Sequence, residues 1–133
     1  MDSMDLPAPA QADVSLRVPA DSAYVSVLRT MTAGLAARLD FTVDDIEDLR
    51  IAVGEACAMV LEQARADGDL HATFDLGSGE LSVTVSADAD AASEPDKDGF
   101  AWQVLTALTT RASAEVTPDA VGITLSMKSA LLD

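Results

Sequence analysis

The pattern that most restricts the fold of this chain is a long amphipathic stretch in its first half. Thr42 and Asp45 have the spacing of a capping box, and acidic residues in a first turn also suit the helix dipole. The pattern ends at Asp67-Gly68, which favours a turn. Between these limits apolar residues recur at spacings of three and four, at Ile46, Leu49, Val53, Ala56, Val60 and Ala64. The sequence therefore predicts a long helix with one buried face.

A strand and a shorter helix precede this long helix. Residues 14–18 alternate apolar and polar side chains, which is typical of a strand, and Pro19 ends the alternation. Asp21 or Ser22 can cap the helix that follows. The apolar positions of that helix again recur every three or four residues, at Tyr24, Leu28, Met31, Leu35 and Leu39.

A β-hairpin is predicted after the long helix. Residues 70–76 and 80–87 both alternate, and Gly77-Ser78-Gly79 between them is typical of a hairpin turn. Residues 88–98 are acidic, include Pro95 and lack an apolar period, so they predict a loop. Loops of this length in compact domains are often functional.

The last part of the chain predicts a third helix and a second hairpin. Helical spacing of apolar residues runs from Gly99 to about Thr110, and residues 112–117 and 121–127 alternate around Pro118-Asp119. The complete order is strand, two helices, hairpin, loop, helix, hairpin. This order predicts an α+β fold, a two-layer sandwich in which about three helices cover one face of a mostly antiparallel sheet.

Length and composition predict one domain with an aliphatic core. The chain has 133 residues, of which 49% are apolar but only 4% aromatic. Aliphatic side chains must therefore fill the core. We expect residues 14–131 to form this single domain. Residues 1–13, which include Pro7 and Pro9 and have no apolar period, predict a disordered leader.

The charge of the chain excludes several classes of partner. Eight basic residues against 23 acidic ones give a formal net charge of −15. This charge repels nucleic acid and anionic lipid, so direct binding to DNA, RNA or a membrane surface is not expected. It favours either a well-solvated surface or attraction to a basic protein partner. Without a signal peptide or an apolar run long enough to span a membrane, the chain is expected in the cytoplasm.

Residues 44–59 resemble the first nucleotide-box helix of the bacterial anti-sigma factors that double as serine kinases, a branch of the GHKL ATPases. In that family the helix runs Glu-Ala-x-x-Asn, where the Glu prepares a nucleophile and the Asn holds Mg²⁺. This chain has Glu55-Ala56 but Met59 in place of the Asn. A thioether is a poor ligand for Mg²⁺, which prefers oxygen. The resemblance makes Glu55 the one catalytic candidate, provided that the kinase is active.

Two further nucleotide motifs of the family are reduced in this chain. The Asp-x-Gly-x-Gly loop that reads adenine corresponds to Asp88 followed by alanines and acids, without glycine. The glycine-rich run that cradles phosphate corresponds to Gly99 alone. The resemblance thus implies Asp88 and Gly99 as weak cofactor-binding residues and no metal ligand. No cofactor is expected, and ATP with Mg²⁺ enters only under the kinase alternative.

Three other residues have two interpretations each, and two have one. Arg29 stands where the family's first helix carries an arginine that touches both the sigma factor and its antagonist, although a solvent-facing charge is the commoner case. We favour the partner contact. Met59 and Trp102 either pack in the ordinary core or fill the space that a nucleotide occupies in active relatives. His71, the single histidine, is expected on the surface, and Cys57 is expected to be buried.

The resemblance implies a function and leaves alternatives. The first hypothesis is an anti-sigma factor that sequesters an alternative sigma factor by direct binding, without ATP dependence, as a homodimer that presents its first helix and the adjoining strand. A STAS-domain anti-anti-sigma antagonist would release it. The second hypothesis is an ATP-dependent serine kinase that phosphorylates that antagonist. A third possibility is an unrelated α+β domain with a coincidental order of elements.

Overall fold

The structure is a computed structural model, and it describes residues 12–129. Within this range five strands and three α-helices follow one another as the sequence predicts. In chain order they are β1 (Val14–Pro19), α1 (Val25–Arg38), α2 (Val43–Gln63), β2 (Asp69–Leu76), β3 (Glu80–Asp88), α3 (Phe100–Leu108), β4 (Arg111–Thr117) and β5 (Ala120–Lys128). A short 3-10 turn, Ser22–Tyr24, leads into α1. The α+β prediction is confirmed.

The five strands form one antiparallel sheet in the order β1-β2-β3-β5-β4. Both predicted hairpins are present, and β5 returns to the centre of the sheet to pair with β3. In the turn of the first hairpin Gly79 has a φ of 69°, a value that glycine adopts without steric cost. β1 lies at the opposite edge from β4, with Val14 beside Phe74 of β2.

The hydrophobic core lies between the sheet and its helices. Alternation along the strands turns their apolar side chains to one face, and α2 packs over β3 and β5 at the centre of the sheet. α1 and α3 both pack against α2. The fully buried positions of α2 are Leu49, Ala52, Val53, Ala56, Cys57 and Val60. In α3, Trp102 and Leu105 are buried, but Phe100 is 84% exposed because it stands at the first turn, outside the core.

The opposite face of the sheet is polar. Ser82 and Ser126 share a hydrogen bond of 2.9 Å between their hydroxyl oxygens, and Thr84 and Thr124 share another of 2.9 Å. Antiparallel sheets commonly leave one face open to water, and their strands then alternate apolar and polar residues. The five strands of this sheet follow that pattern.

The ends of α2 show one predicted and one unpredicted feature. Thr42 Oγ1 accepts a hydrogen bond of 3.1 Å from the backbone N–H of Asp45, as the capping pattern predicts. The helix ends at Gln63, earlier than the predicted end at Asp67. The reason is that Ala64 turns to an extended conformation and forms a β-bridge with Ala89.

The predicted domain limits lie partly outside the described residues. The structure does not describe residues 1–11 of the predicted leader, which spans residues 1–13. It also does not describe residues 130 and 131, the last two of the predicted domain. Asp13 is described, and its backbone N–H donates to the carbonyl of Phe74 at 3.1 Å while its carboxylate accepts from the N–H of Leu76 at 2.7 Å. Within residues 12–129 the sheet contacts thus begin one residue before Val14. Across residues 12–129, every helix is too short or too polar to cross a membrane.

Candidate functional site

A groove of about 320 Å³ lies between α1 and α2. Its α2 side is formed by positions that recur every three or four residues and therefore share one helix face. That face is distinct from the buried stripe of α2, so the groove opens to solvent. The lining residues are Val25, Arg29, Glu47, Arg50, Ile51, Gly54 and Glu55. The structure thus brings together two of the predicted site residues, Arg29 and Glu55.

Arg29 lies across α2 at Gly54. A Cβ atom at Gly54 would stand only 3.3 Å from Arg29 Cδ, closer than ordinary van der Waals contact. Within residues 12–129 the Arg29 guanidinium makes neither a hydrogen bond nor an ion pair. The groove therefore contains one cation whose hydrogen-bond donors have no protein acceptor in that part of the chain.

A second arginine, Arg50, is paired but not fully satisfied. Its Nη1 lies 3.0 Å from Oε2 of Glu47, one turn earlier on α2. Its Nε is buried and has no hydrogen-bond acceptor among the residues that the structure describes. Ion pairs that are this exposed contribute little to stability, typically about 0.2–1 kcal/mol. The pair thus orients Arg50 more than it stabilises the fold.

Apolar side chains accompany these charges. Ile51 lines the groove and is 50% exposed, while Tyr24 and Val27, where the chain enters α1, are 39% and 42% exposed. Aromatic residues and arginine are enriched in protein–protein interfaces. The composition of this surface is suited to a protein partner.

The residues of the weakened nucleotide motifs lie elsewhere. Met59, one turn beyond Glu55, is partly buried and packs against the core. Asp88 is the exposed last residue of β3, and Gly99 is the N-cap of α3. None of the three lines the groove that holds Glu55. Where the resembled family has a metal-binding amide and a glycine-rich run, this chain has the thioether of Met59 and the single Gly99.

The acidic loop after β3 is held against the end of α2. The side-chain amide of Gln63 donates to the carbonyl of Ser93 at 2.9 Å and accepts from the N–H of Ser93 at 2.8 Å. Arg65 Nε lies 2.9 Å from a carboxylate oxygen of Asp90, and this hydrogen bond raises the pKa of Arg65. Sequence reasoning missed both anchors, because no periodic pattern distinguishes Gln63 or Arg65 from any polar residue at a helix end.

Two buried residues, Trp102 and Cys57, each have a charged side chain nearby. Trp102 is buried, and Lys97 Nζ lies 5.4 Å from the centre of its ring, within the range of a cation–π contact. Cys57 is buried as predicted, and its burial raises the pKa of the thiol from 9.0 to about 12, an effect that the charge of Arg29 partly opposes. His71 is exposed on β2. Among residues 12–129, no three His, Cys, Asp or Glu side chains are grouped so that they could hold a metal ion.

Comparison with known proteins identifies the family. A sequence model of the histidine kinase-like ATPase domain matches residues 18–126, which is most of the chain. The chain belongs to this family, as the resemblance of its second helix predicts.

The chain is also similar to individual curated proteins. The serine-protein kinase RsbW of Bacillus velezensis is 36% identical over 81 residues, which are 59% of this chain and 51% of that protein. Proteins of the same name from Bacillus thuringiensis and Bacillus anthracis are 35% identical over 75 residues, 55% of this chain and 47% of theirs. The chain spans about half the length of the curated relatives it matches.

Proposed function

We propose that this protein is an anti-sigma factor, which sequesters an alternative sigma factor by direct binding and does so without ATP. The observation that carries the proposal is the groove between α1 and α2. Arg29 stands there at the position where the resembled family contacts its sigma factor, and it is unpaired within residues 12–129. A cation whose N–H donors have no acceptor within residues 12–129 can donate to an acceptor of a partner at little cost, because no bond within that range has to break.

The positions of the other motif residues support independence from ATP. Met59 contacts the core with a thioether where the family has a metal-binding amide, and Asp88 and Gly99 do not share a cavity with Glu55. Mg²⁺ binds through oxygen ligands, so this set favours weak nucleotide binding or none.

The charge of the whole chain supports a basic partner. A net charge of −15 accelerates encounter with a positively charged protein, since complementary potentials steer diffusion. DNA-binding transcription factors carry such charge. A sigma factor partner would place this protein in the cytoplasm, and a STAS-domain antagonist that competes for Arg29 would release the sigma factor.

The polar face of the sheet supports a homodimer. One row of paired residues across the sheet has Arg17 at the β1 edge and Glu115 at the β4 edge. Two rows further along on the same polar face, Asp75 lies in β2 and Arg111 lies in the edge strand β4. In this row the negative charge is on the β1 side of the sheet and the positive charge on the β4 side, the reverse of the first row. A two-fold axis parallel to the strands lays β1 of one copy over β4 of the other. Arg17 of one copy, which also lies 3.8 Å from Asp69 of its own chain, then faces Glu115 of the other copy, and Asp75 comes within one strand of Arg111.

The middle of this face suits such an arrangement. Its side chains are small hydroxyl groups that already pair across the strands, between Ser82 and Ser126 and between Thr84 and Thr124. Because their hydrogen bonds are made within the sheet, covering them costs less than covering unpaired polar groups.

One alternative function has an observation in its favour. Glu55 lines the same groove as Arg29, and the relatives carry the name serine-protein kinase. An active site at this place would use Glu55 as the general base toward a serine of the antagonist. In that case Glu55→Gln would abolish phosphate transfer.

A pull-down from the lysate of the host tests the proposal. Tagged wild-type protein and its Arg29→Ala variant are incubated with lysate, with and without Mg-ATP, and bound proteins are identified by mass spectrometry. We expect a sigma factor with the wild type under both conditions and much less of it with Arg29→Ala. Recovery of a STAS-domain protein alone, and only with Mg-ATP, would favour the kinase instead.

A further inference from the structure

We propose that Gly54 is the positioning residue of the groove. Its missing side chain seats Arg29 on α2, and the fixed guanidinium then receives a single carboxylate from a partner protein. The inference deepens the proposed function and rests on it only for the identity of the partner. The seating of Arg29 itself can be measured without any partner.

The geometry at Gly54 carries the first step. A Cβ atom there would lie 3.3 Å from Arg29 Cδ and 3.9 Å from Arg29 Nη1. Outside α2 itself, no other atom of residues 12–129 comes within 4 Å of that position. Arg29 makes no hydrogen bond or ion pair in the described range, so packing contacts, among them the one with Gly54, position its side chain. A methyl group at residue 54 would force Arg29 Cδ to move by a few tenths of an ångström.

The cost of glycine carries the second step. Gly54 is in the interior of α2, where glycine is the least favourable residue apart from proline. Its φ is not positive, so the backbone does not require glycine here. The close approach of Arg29 is the one structural reason that this part of the chain provides. Gly54 therefore lowers the stability of the helix, and its missing side chain leaves room for Arg29.

The charges of the groove define the ligand. Glu47 already pairs with Arg50, while Arg29 and Glu55 are unpaired within residues 12–129, so the lining is neutral as a whole. One carboxylate can pair with Arg29 and leave a single negative charge. A phosphate dianion would leave two beside Glu55, in a chain of net charge −15, which electrostatics disfavours. Half-exposed Ile51 adds contact for an aliphatic neighbour of that carboxylate.

The test compares two glycine substitutions on different helices. Gly34 lies in the interior of α1, and apart from that helix's own backbone no atom of the described residues lies within 4 Å of its Cβ position, so Gly34→Ala is the matched control for Gly54→Ala. Both changes should raise the melting temperature by a few degrees, because alanine is the better helix former. Only Gly54→Ala should weaken binding of the sigma factor recovered in the pull-down, by about three- to tenfold, since it frees an ordered side chain.

A double-mutant cycle shows whether Gly54 acts through Arg29. In an Arg29→Ala background, Gly54→Ala should have no further effect on affinity. The same loss in both backgrounds would overturn the proposal, because Gly54 would then be a direct contact or a purely structural residue. Unchanged affinity of Gly54→Ala in the wild-type background would overturn it as well.

A measurement without the partner separates this inference from the proposed function. NMR of the Arg29 Nε–Hε group should show a lower order parameter in Gly54→Ala than in the wild type or in Gly34→Ala. Sodium acetate should shift this resonance in the wild type more than inorganic phosphate does at equal ionic strength. If the order parameter does not change, the seating of Arg29 is refuted. If it falls but no sigma factor binds, the seating holds and the proposed function fails.

Discussion

At the scale of single residues, the proposed binding in the groove depends on a charged side chain that makes no hydrogen bond or ion pair within the described residues. Arg29 is exposed and unpaired within residues 12–129, so its removal should leave the fold intact. A lost hydrogen bond to a charged group corresponds to about 1.5–3 kcal/mol. We expect Arg29→Ala to weaken sigma factor binding by roughly 10- to 100-fold while its melting temperature stays near that of the wild type.

The control for this prediction is Arg38→Ala. Arg38 lies in the last turn of the same helix and outside the groove. Titration calorimetry with purified sigma factor should give wild-type affinity for Arg38→Ala. An equal loss for both variants would mean that the effect is one of net charge and not of a specific contact.

Cys57 makes stability depend on pH in the alkaline range. Burial raises the pKa of its thiol from 9.0 to about 12 in the folded protein. A group whose pKa is higher in the folded state contributes fully below its unfolded pKa, and the contribution is lost as pH rises through its folded pKa. We expect the free energy of unfolding to fall between pH 9 and 12, by at most about 1.4 kcal/mol per pH unit from this group.

Urea unfolding of the wild type and of Cys57→Ala at several pH values measures this effect. All other titrating groups are common to both proteins, so the difference between the two curves isolates the thiol. The curve of Cys57→Ala should be flatter above pH 9. Parallel curves would contradict the assignment of the raised pKa to burial of Cys57.

At the scale of elements, the acidic loop is tied to α2 by side chains. The Gln63 amide makes two hydrogen bonds with the backbone of Ser93. We expect Gln63→Ala to speed hydrogen exchange of the amides in residues 89–94, because the loop loses both bonds at once. Glu62→Ala, an exposed neighbour on the same helix, is the control and should leave that exchange unchanged. Equal rates in Gln63→Ala and the wild type would show that Arg65 and the Ala64–Ala89 bridge hold the loop alone.

The elements themselves could be predicted from periodicity. The alternation of β2 and β3 and the spacing of three and four residues in α2 each indicate a buried face. Thr42 indicates the start of α2. The fold class and the order of the elements therefore follow from the sequence. The end of α2 at Gln63 could not be predicted, since it depends on a bridge between Ala64 and Ala89. The exposure of Phe100 could not be predicted either. Its place in the helical spacing of α3 suggests burial, but it stands at the first turn of that helix, outside the core.

The candidate site was less accessible to sequence reasoning. Glu55 and Arg29 were singled out only by resemblance to a family, and nothing in their spacing shows that they share a groove. Gly54 and Arg50 were missed because their roles arise from side chains that meet between two helices. Periodicity reports which face of a helix is buried and does not report such contacts.

At the scale of the whole molecule, the proposed homodimer would be held together by the charge rows on the polar face of the sheet. Arg17→Glu and Glu115→Arg should each weaken the dimer, because each places like charges opposite one another. The double variant, Arg17→Glu with Glu115→Arg, should restore it. Sedimentation equilibrium at low and high salt measures all four proteins. If the double variant is as weak as the single ones, the copies are not related by the proposed axis.

The central claim concerns the whole molecule as well: a member of an ATPase-domain family binds its protein partner without nucleotide. The most direct measurement is the dissociation constant for the purified sigma factor, determined by calorimetry in the absence of nucleotide and at saturating Mg-ATP. We predict values that agree within about twofold, which is less than 0.5 kcal/mol. A tenfold or larger change on addition of Mg-ATP would contradict the claim and favour the kinase.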